Sequence, residues 1–379
     1  MRIDRNSRIL LFAPHPDDEA IGTGGLLQKA AAAGARVHVV FATNGDDNPW
    51  PHRVLERRWK IDIAERMLWG MRRAEEALDA LTVLGLPKTC AEFLHLPDQR
   101  ITDLLLDGPG ELLDRLVSII EQTQPTLVVG PSPFDLHPDH SSLHLFLQLA
   151  LGRAGRSDVE QACYAIHTRG YHSDWECVPL ELAPAEQEVK RRAVLAHHTQ
   201  MVLSRNRFLR YAESEEYWRP ASPRETDPYH PVRSGRLTDG ALFMQLERRK
   251  RSRSFARCSV LMVHEDELGF VSRWSIPLRA RTGAVAVLDA ATDAIVAIAH
   301  LEVHGVHAQV RLPWTGRTQP ARVFLKFEQP SIFFDTGGWR EIPAEVSAQT
   351  DEAFVPLKAR GRRRLRRTRL PRIRAKAAR

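Results

Sequence analysis

Two short clusters carry the residue types that do chemistry. The first is His15-Pro16-Asp17-Asp18-Glu19, where the apolar run Leu10–Ala13 stops at a histidine, a proline and three successive acids. The second is His137-Pro138-Asp139-His140, far downstream. Three adjacent carboxylates repel one another, so their gathering at the end of a buried strand calls for a cation. Two histidines and a carboxylate suit a divalent metal, zinc being the usual occupant where hydrolysis follows and ferrous iron the alternative. His15 and Asp18 lie three apart, so one tight turn can aim both inward, and with His140 they form the expected ligand set. Zinc lowers the pKa of a bound water from about 15.7 to about 7, so a neighbouring carboxylate can take its proton. Asp17 is the expected base. His137 is expected opposite it as general acid or oxyanion donor, with Asp139 holding an imidazole in its working tautomer. Together these groups fit attack of hydroxide on an amide.

The elements that must position these clusters alternate regularly. "RILLFAP", "RVHVVFAT", "AEFLHLPD", "PTLVVGPSP" and "EQACYAIHT" read as strands, and helical patterns separate them. The tryptophan-rich stretch "ERRWKIDIAERMLWGMRRAEEALDALTVLG" reads as helix in one or two pieces; "APAEQEVKRRAVLAHHTQ" and "NRFLRYAESEEYW" read as closing helices. The expected fold class is α/β, a Rossmann-like doubly wound parallel sheet. In the common order 3-2-1-4-5, strands one and four are neighbours at the switch point, where ligands bind. Both clusters leave the C-terminal ends of those strands and would face each other.

"APHPDDEAIGTGG" together with "HPDH" resembles the LmbE-like, or PIG-L, family of metal-dependent N-deacetylases. "FATNGD", "RRAEEALDALTVLG" and "KRRAVLAHHTQ" are similar to weaker family elements, so the likeness spans residues 8 to about 220. The resemblance implies removal of an N-acyl group, often acetyl, from an N-acetylglucosamine unit or sugar conjugate. It implies the same roles for His15, Asp18 and His140 as ligands, Asp17 as base and His137 as acid or electrophile. It further implies that Arg73 and Asp98 contact substrate. Cleavage of another amide, such as a thiol conjugate, keeps the same site. A ferrous facial-triad oxygenase is the alternative of another class, but Asp17 and His137 contribute nothing evident to that chemistry.

The remaining sequence bounds these readings. With 379 residues the chain can bury two cores. The expected domains are 1–225, a β-rich accessory domain over 236–350 and a basic disordered tail over 351–379, joined through a Pro-rich linker at Arg219–Arg236. Net charge is +7, yet residues 358–379 hold 12 basic residues and no acid, which leaves the rest at −5. That tail is a candidate contact for an anionic membrane surface, and no specific nucleic acid is expected. Four scattered cysteines, and a first strand too close to Met1 to leave room for a signal peptide, point to a cytoplasmic setting. "GTGG" lacks dinucleotide spacing and reads as close packing. His38 is expected as a satisfied core residue. Trp50, Trp59 and Trp69 are expected to pack rather than stack on sugars. His197 and His198 are expected near the pocket, and no second metal site is expected at His300, His304 and His307.

Overall fold

The structure is a computed structural model that describes residues 2–168, 177–220, 229–238, 240–248, 254–314, 320–329 and 333–342. Strand β1 (Arg8–Ala13) is an apolar run buried on both faces, as a central parallel strand must be. Helix α1 (Asp18–Ala32) follows, then β2 (Arg36–Thr43), α2 (Pro49–Glu56), α3 (Ile63–Val83), β3 (Ala91–Leu96), α4 (Ile101–Asp107), α5 (Gly110–Thr123), β4 (Leu127–Pro131), α6 (Pro138–Arg153) and β5 (Glu160–Tyr164). Within the long tryptophan-rich stretch only α3 is helix: α2 ends at its first residue, Glu56, and residues 57–62 are not helical. Helix α3 starts at a capping box in which Asp62 accepts from the Glu65 backbone and Glu65 from that of Asp62. After β6 (Val178–Glu181) come α7 (Pro184–Ala196), α8 (His198–Leu209) and β7 (Glu215–Pro220).

The sheet order is β3-β2-β1-β4-β5-β7-β6, with the first five strands parallel and β7 and β6 antiparallel. Alternate residues of β1 feed two cores. Ile9 and Leu11 face α1, α3 and α7, while Leu10 and Phe12 face α4, α5 and α6. Small residues in "GTGG" allow α1 to pack closely. A Cβ on Gly25 would lie 2.6 Å from Leu182 and 2.8 Å from the Glu216 carboxyl carbon. Glu216 accepts from the Gly25 and Leu26 backbones and pairs with buried Lys190 at 2.6 Å.

Among the described residues the C-terminal half is one antiparallel sheet of nine strands: β8 (Val232–Thr238), β9 (Ala241–Glu247), β10 (Ser259–Asp266), β11 (Val271–Pro277), β12 (Gly283–Asp289), β13 (Ile295–His304), β14 (His307–Pro313), β15 (Pro320–Glu328) and β16 (Trp339–Ile342). Their order is β16-β15-β10-β11-β12-β13-β14-β9-β8. The sheet curls until its edges meet, with Ile342 of β16 lying against Gly235 of β8. Leu261, Val263, Phe324 and Trp339 of this sheet join the core that also holds α6, and residues 1–344 form one compact unit.

Several expectations need correcting. The β-rich region begins at β8 (Val232), a few residues before the expected start at 236. Both ends of the linker Arg219–Arg236 are strand, and its residues 221–228 lie outside the described residues. "SEEYW" is not helical: it enters β7, which pairs with β5 and β6. The basic tail 358–379 lies outside the described residues. Among the described residues no helix is long and apolar enough to cross a membrane.

Candidate metal centre

The turn from β1 into α1 is built for its side chains rather than for helix capping. Asp17 occupies the N-cap position of α1, yet its carboxylate makes no capping bond. Its φ of 129° is one that non-glycine residues rarely adopt, which is strain of the kind that gathers at working sites. The surroundings hold it there. The Asp17 N–H donates to Glu19 Oε2 at 2.9 Å, and the buried Arg73 of α3 donates from Nη2 to Asp17 Oδ2 at 3.0 Å. Arg73 also donates to the carbonyls of Pro16 and Gly45. The resemblance implied a substrate contact for Arg73; its guanidinium lines the cavity and grips Asp17. Glu19, fully buried, is paired with His197 Nε2 at 2.7 Å.

Helix α6 delivers the second cluster from the neighbouring strand β4. His15 Nδ1, Asp18 Oδ2 and His140 Nε2 form a triangle whose three edges are each 3.3 Å. A tetrahedral ion with ligands at roughly 2.0–2.1 Å has ligand–ligand edges of about 3.3–3.4 Å, so these donors fit zinc or ferrous iron as they stand. The far nitrogen of each imidazole is held by carboxylates. His140 Nδ1 lies 3.2 Å from Asp135 Oδ2, and His15 Nε2 lies 3.2 Å from Asp98 Oδ1 and 3.3 Å from Asp139 Oδ2. Such bonds turn the far nitrogen of each ring to a carboxylate and the near one to the triangle, where a metal would displace its proton. Asp139 therefore meets His15. Asp98, implied as a substrate contact, also holds His15, while its other oxygen accepts from the Asp47 backbone at 2.7 Å. His137 Nδ1 accepts from the Asp139 N–H at 3.2 Å, which leaves Nε2–H as a donor into the cavity.

Charge follows this geometry. Burial lowers the pKa of His140, but Asp18 and Asp135 together raise it to about 10. His15, likewise opposed by burial, is held well above the usual imidazole value by Asp139, Asp18 and Asp98. Asp18 is buried too, yet His140 and His15 hold its carboxyl below the ordinary range. Asp17 goes the other way: burial pushes it up to about 6, with Arg73 pulling down and Asp18 pushing up. His137 falls well below the usual value because of burial and the neighbouring His15, His140 and His167. A neutral imidazole that donates from Nε2 is the outcome.

The cavity over this triangle has a volume of about 560 Å³. His15, Asp17, Asp18, Arg73, Asp98 and His137 all reach it. Much of its wall is apolar: Trp50 from α2, Leu203 and Phe208 from α8, and Phe333 and Phe334 from the β15–β16 connection. Phe333 lies 5.1 Å from His137, ring centre to ring centre. The C-terminal sheet also braces α6 from behind. Trp339 Nε1 donates to Ser142 Oγ at 3.0 Å, and Ser141 Oγ donates to Asp335 at 3.2 Å, which pairs with Lys326 at 3.0 Å.

Sequence reasoning missed four of these residues. Asp135 accepts from the backbones of His137, Ile166 and His167 as well as facing His140; it stands inside "PFDLHPDH", where its place two before His137 was the signal. His167 follows β5, its ring 5.3 Å from that of His137 and Nδ1 3.4 Å from Asp135. Nothing local marks it or the two phenylalanines. Of the remaining histidines, His197 is buried beside Glu19 while His198 is exposed. His38 is satisfied, by Glu92 at 3.0 Å, but it is half-buried rather than in the core. His300 and His304 are exposed, and none of His300, His304 and His307 joins a metal-holding group among the described residues. Trp69 packs, stacked on His52, but Trp50 and Trp59 are exposed, contrary to expectation.

Residues 10–151 match the family model described as "PIG-L: GlcNAc-PI de-N-acetylase". The chain is 32% identical over 148 residues to the 1D-myo-inositol 2-acetamido-2-deoxy-alpha-D-glucopyranoside deacetylase of Mycobacterium avium (strain 104), covering 35% of this chain and 47% of that protein. It is 28% identical over 211 residues to the diacetylchitobiose deacetylase of Thermococcus kodakarensis, covering 51% and 70%. Thus the chain spans about half the length of the first of these relatives. Among solved structures, the N,N'-diacetylchitobiose deacetylase from Pyrococcus horikoshii aligns with a TM-score of 0.44 at 21% identity, over 58% of this chain and 86% of that one.

Proposed function

Residues 10–151 being a PIG-L family domain, we propose that the chain is a zinc-dependent hydrolase that removes an N-acyl group, acetyl in the first instance, from an amino sugar or sugar conjugate. The observation that carries this reading is the 3.3 Å triangle of His15, Asp18 and His140 with a strained, uncapped Asp17 beside it. The sequence relatives support it, since both are named as deacetylases of N-acetylated sugars.

Zinc held by His15, Asp18 and His140 would acidify a water and polarise the amide carbonyl. The residues around it do the rest. Asp17 takes the water's proton, and a carboxyl with pKa about 6 is ionised at neutral pH yet basic enough to accept it. Arg73 fixes the direction of that carboxylate. His137, neutral and with Nε2–H directed into the cavity, donates to the developing oxyanion or the departing amine. Phe333, Phe334 and Phe208 present an apolar wall, which favours a conjugate with an apolar neighbour to the sugar over a free monosaccharide.

The test is acetate release from a panel of N-acetylated sugars, free and conjugated, by protein stripped of metal and then reloaded. Release that returns with zinc supports the reading. Stripped protein as active as reloaded protein overturns it. With N-acetylated non-sugar amides and ferrous ion added to the panel, another amide would show as release from those compounds, and iron as restoration by ferrous ion alone.

A further inference from the structure

Helices α2 and α3 turn apolar side chains outward on a scale that nothing in the catalytic reading requires. Trp59 and Ile63 are each 79% exposed, Leu68 is 65%, and Met67 and Met71 are 62%. Ile63, Met67 and Met71 recur every four residues and so share one face of α3. The inner face of the same helix is buried through Trp69, Arg73, Ala77, Ala80 and Leu81, so α3 is already docked and its outer stripe is surplus to the fold. On α2, Trp50 is 57% exposed and also lines the cavity of the candidate site.

The charges around the stripe say what covers it. Residues 49–72 hold six basic side chains (Arg53, Arg57, Arg58, Lys60, Arg66, Arg72) and three acids, a net +3 in a chain whose body is acidic. The acids are all engaged: Glu56 faces Arg72, Glu65 faces Arg58, and Asp62 caps α3. Among the described residues Arg57 and Lys60 make no ion pair. Tryptophan and large aliphatics flanked by cations are the composition of a surface that lies at the boundary of an anionic bilayer. Arginine and lysine stems cover apolar surface while their heads reach the phosphates. A second copy of the chain is the weaker occupant, because a two-fold contact would set this net positive face against itself.

We propose that α2, α3 and the turn between them form a docking surface for an anionic lipid membrane, seated so that the pocket mouth lies at the bilayer boundary. This goes beyond the proposed reaction and stands without it.

The experiment is flotation of the full chain with vesicles of equal phosphatidylglycerol and phosphatidylcholine, comparing wild type with a variant carrying Trp59→Ser, Ile63→Ser and Met67→Ser. The expected result is a loss of partition of at least about tenfold, since each apolar side chain buried adds to binding. A tail of 12 basic residues is expected to adsorb to the same vesicles by charge alone, so insertion is read separately. Brominated lipid should quench wild-type tryptophan fluorescence more than that of Trp59→Phe, a readout that survives if the triple variant fails to fold. Equal partition of wild type and triple variant, with equal quenching of wild type and Trp59→Phe, overturns the proposal and leaves binding to the tail. A wild-type dimer in sedimentation that the triple variant lacks, with no vesicle binding by either, overturns it in favour of a second copy.

Discussion

The His15–Glu19 turn and the α2–α3 surface are opposites. In the first, three successive acids are buried, Glu19 completely; in the second, Trp59 and Ile63 are 79% exposed. A folded chain normally does the reverse, so a buried charge or a large exposed apolar patch is the informative observation. The two inversions differ in how they are held. Every carboxylate of the turn has a partner: Asp17 has Arg73, Asp18 has His15 and His140, and Glu19 has His197. The apolar stripe has none. Internal pairing marks a site preorganised to act on something small that enters, whereas an unpaired stripe marks a surface that waits for something large.

If the turn is built for chemistry, the first of its three acids should matter far more to rate than to metal binding. Asp17→Asn should lower kcat/KM for amide hydrolysis by about 10²- to 10⁴-fold, the range for loss of a general base. Bound zinc should stay as in wild type, because Asp17 is not in the triangle; some stability is lost, because buried Arg73 loses its counter-charge. A variant that keeps its rate, or that loses its metal, would move Asp17 out of the base's role. The last acid of the three, Glu19, should matter chiefly to folding. His197→Ala leaves Glu19 buried without a counter-charge, and removing one member of a buried pair costs roughly 3–5 kcal/mol. Urea unfolding should show that loss; a change under about 1 kcal/mol would mean that water reaches Glu19.

Arg73→Met separates the two roles within the turn. Burial raises the Asp17 pKa and Arg73 lowers it, with about 6 as the result. As base, Asp17 works ionised, so kcat/KM should fall as pH drops through about 6. Without Arg73 the lowering influence is gone, so the carboxyl titrates higher and the acid limb moves to higher pH. The position of that limb does not depend on how much protein is folded. An unmoved limb would show that another group sets it.

The meeting of the two motifs was legible in the sequence for a physical reason. Buried parallel strands are near-continuous apolar runs, and the side chains that leave their C-terminal ends share one edge of the sheet. From "RILLFAP" and "PTLVVGPSP" the neighbours β1 and β4 followed, and with them the approach of His15 and His140. Contacts set by tertiary packing were not legible. Arg73 has a long side chain whose target is chosen by where α3 docks, and it chose Asp17. Glu215–Pro220 became strand because β5 and β6 offered edges to pair with, which no local pattern near "EEYW" records. Phe333 and Phe334 reach the cavity only because Trp339 and Asp335 anchor the β15–β16 connection to α6, nearly two hundred residues earlier. Trp59 was expected to pack because large apolar residues usually do. Hydrophobicity states that a side chain wants cover, and does not state which molecule supplies it.

That last point yields the smallest expected effect and the sharpest contrast with the acid turn. Ile63→Ser and Met67→Ser, made together, alter two residues that lie on the outer face of α3, away from the cavity. Neither side chain belongs to a core cluster, and neither caps the helix. Serine is a somewhat weaker helix former than methionine and close to isoleucine, so the intrinsic penalty is a few tenths of a kcal/mol. Surface substitutions of this kind change stability by about 0.5 kcal/mol or less. Urea unfolding of the double variant should therefore match wild type within that margin, and its kcat/KM on a water-soluble amide should be unchanged. A loss of 2 kcal/mol or more, on the order of what burying such side chains contributes, would mean that the stripe is covered in solution and that the fold itself supplies the cover.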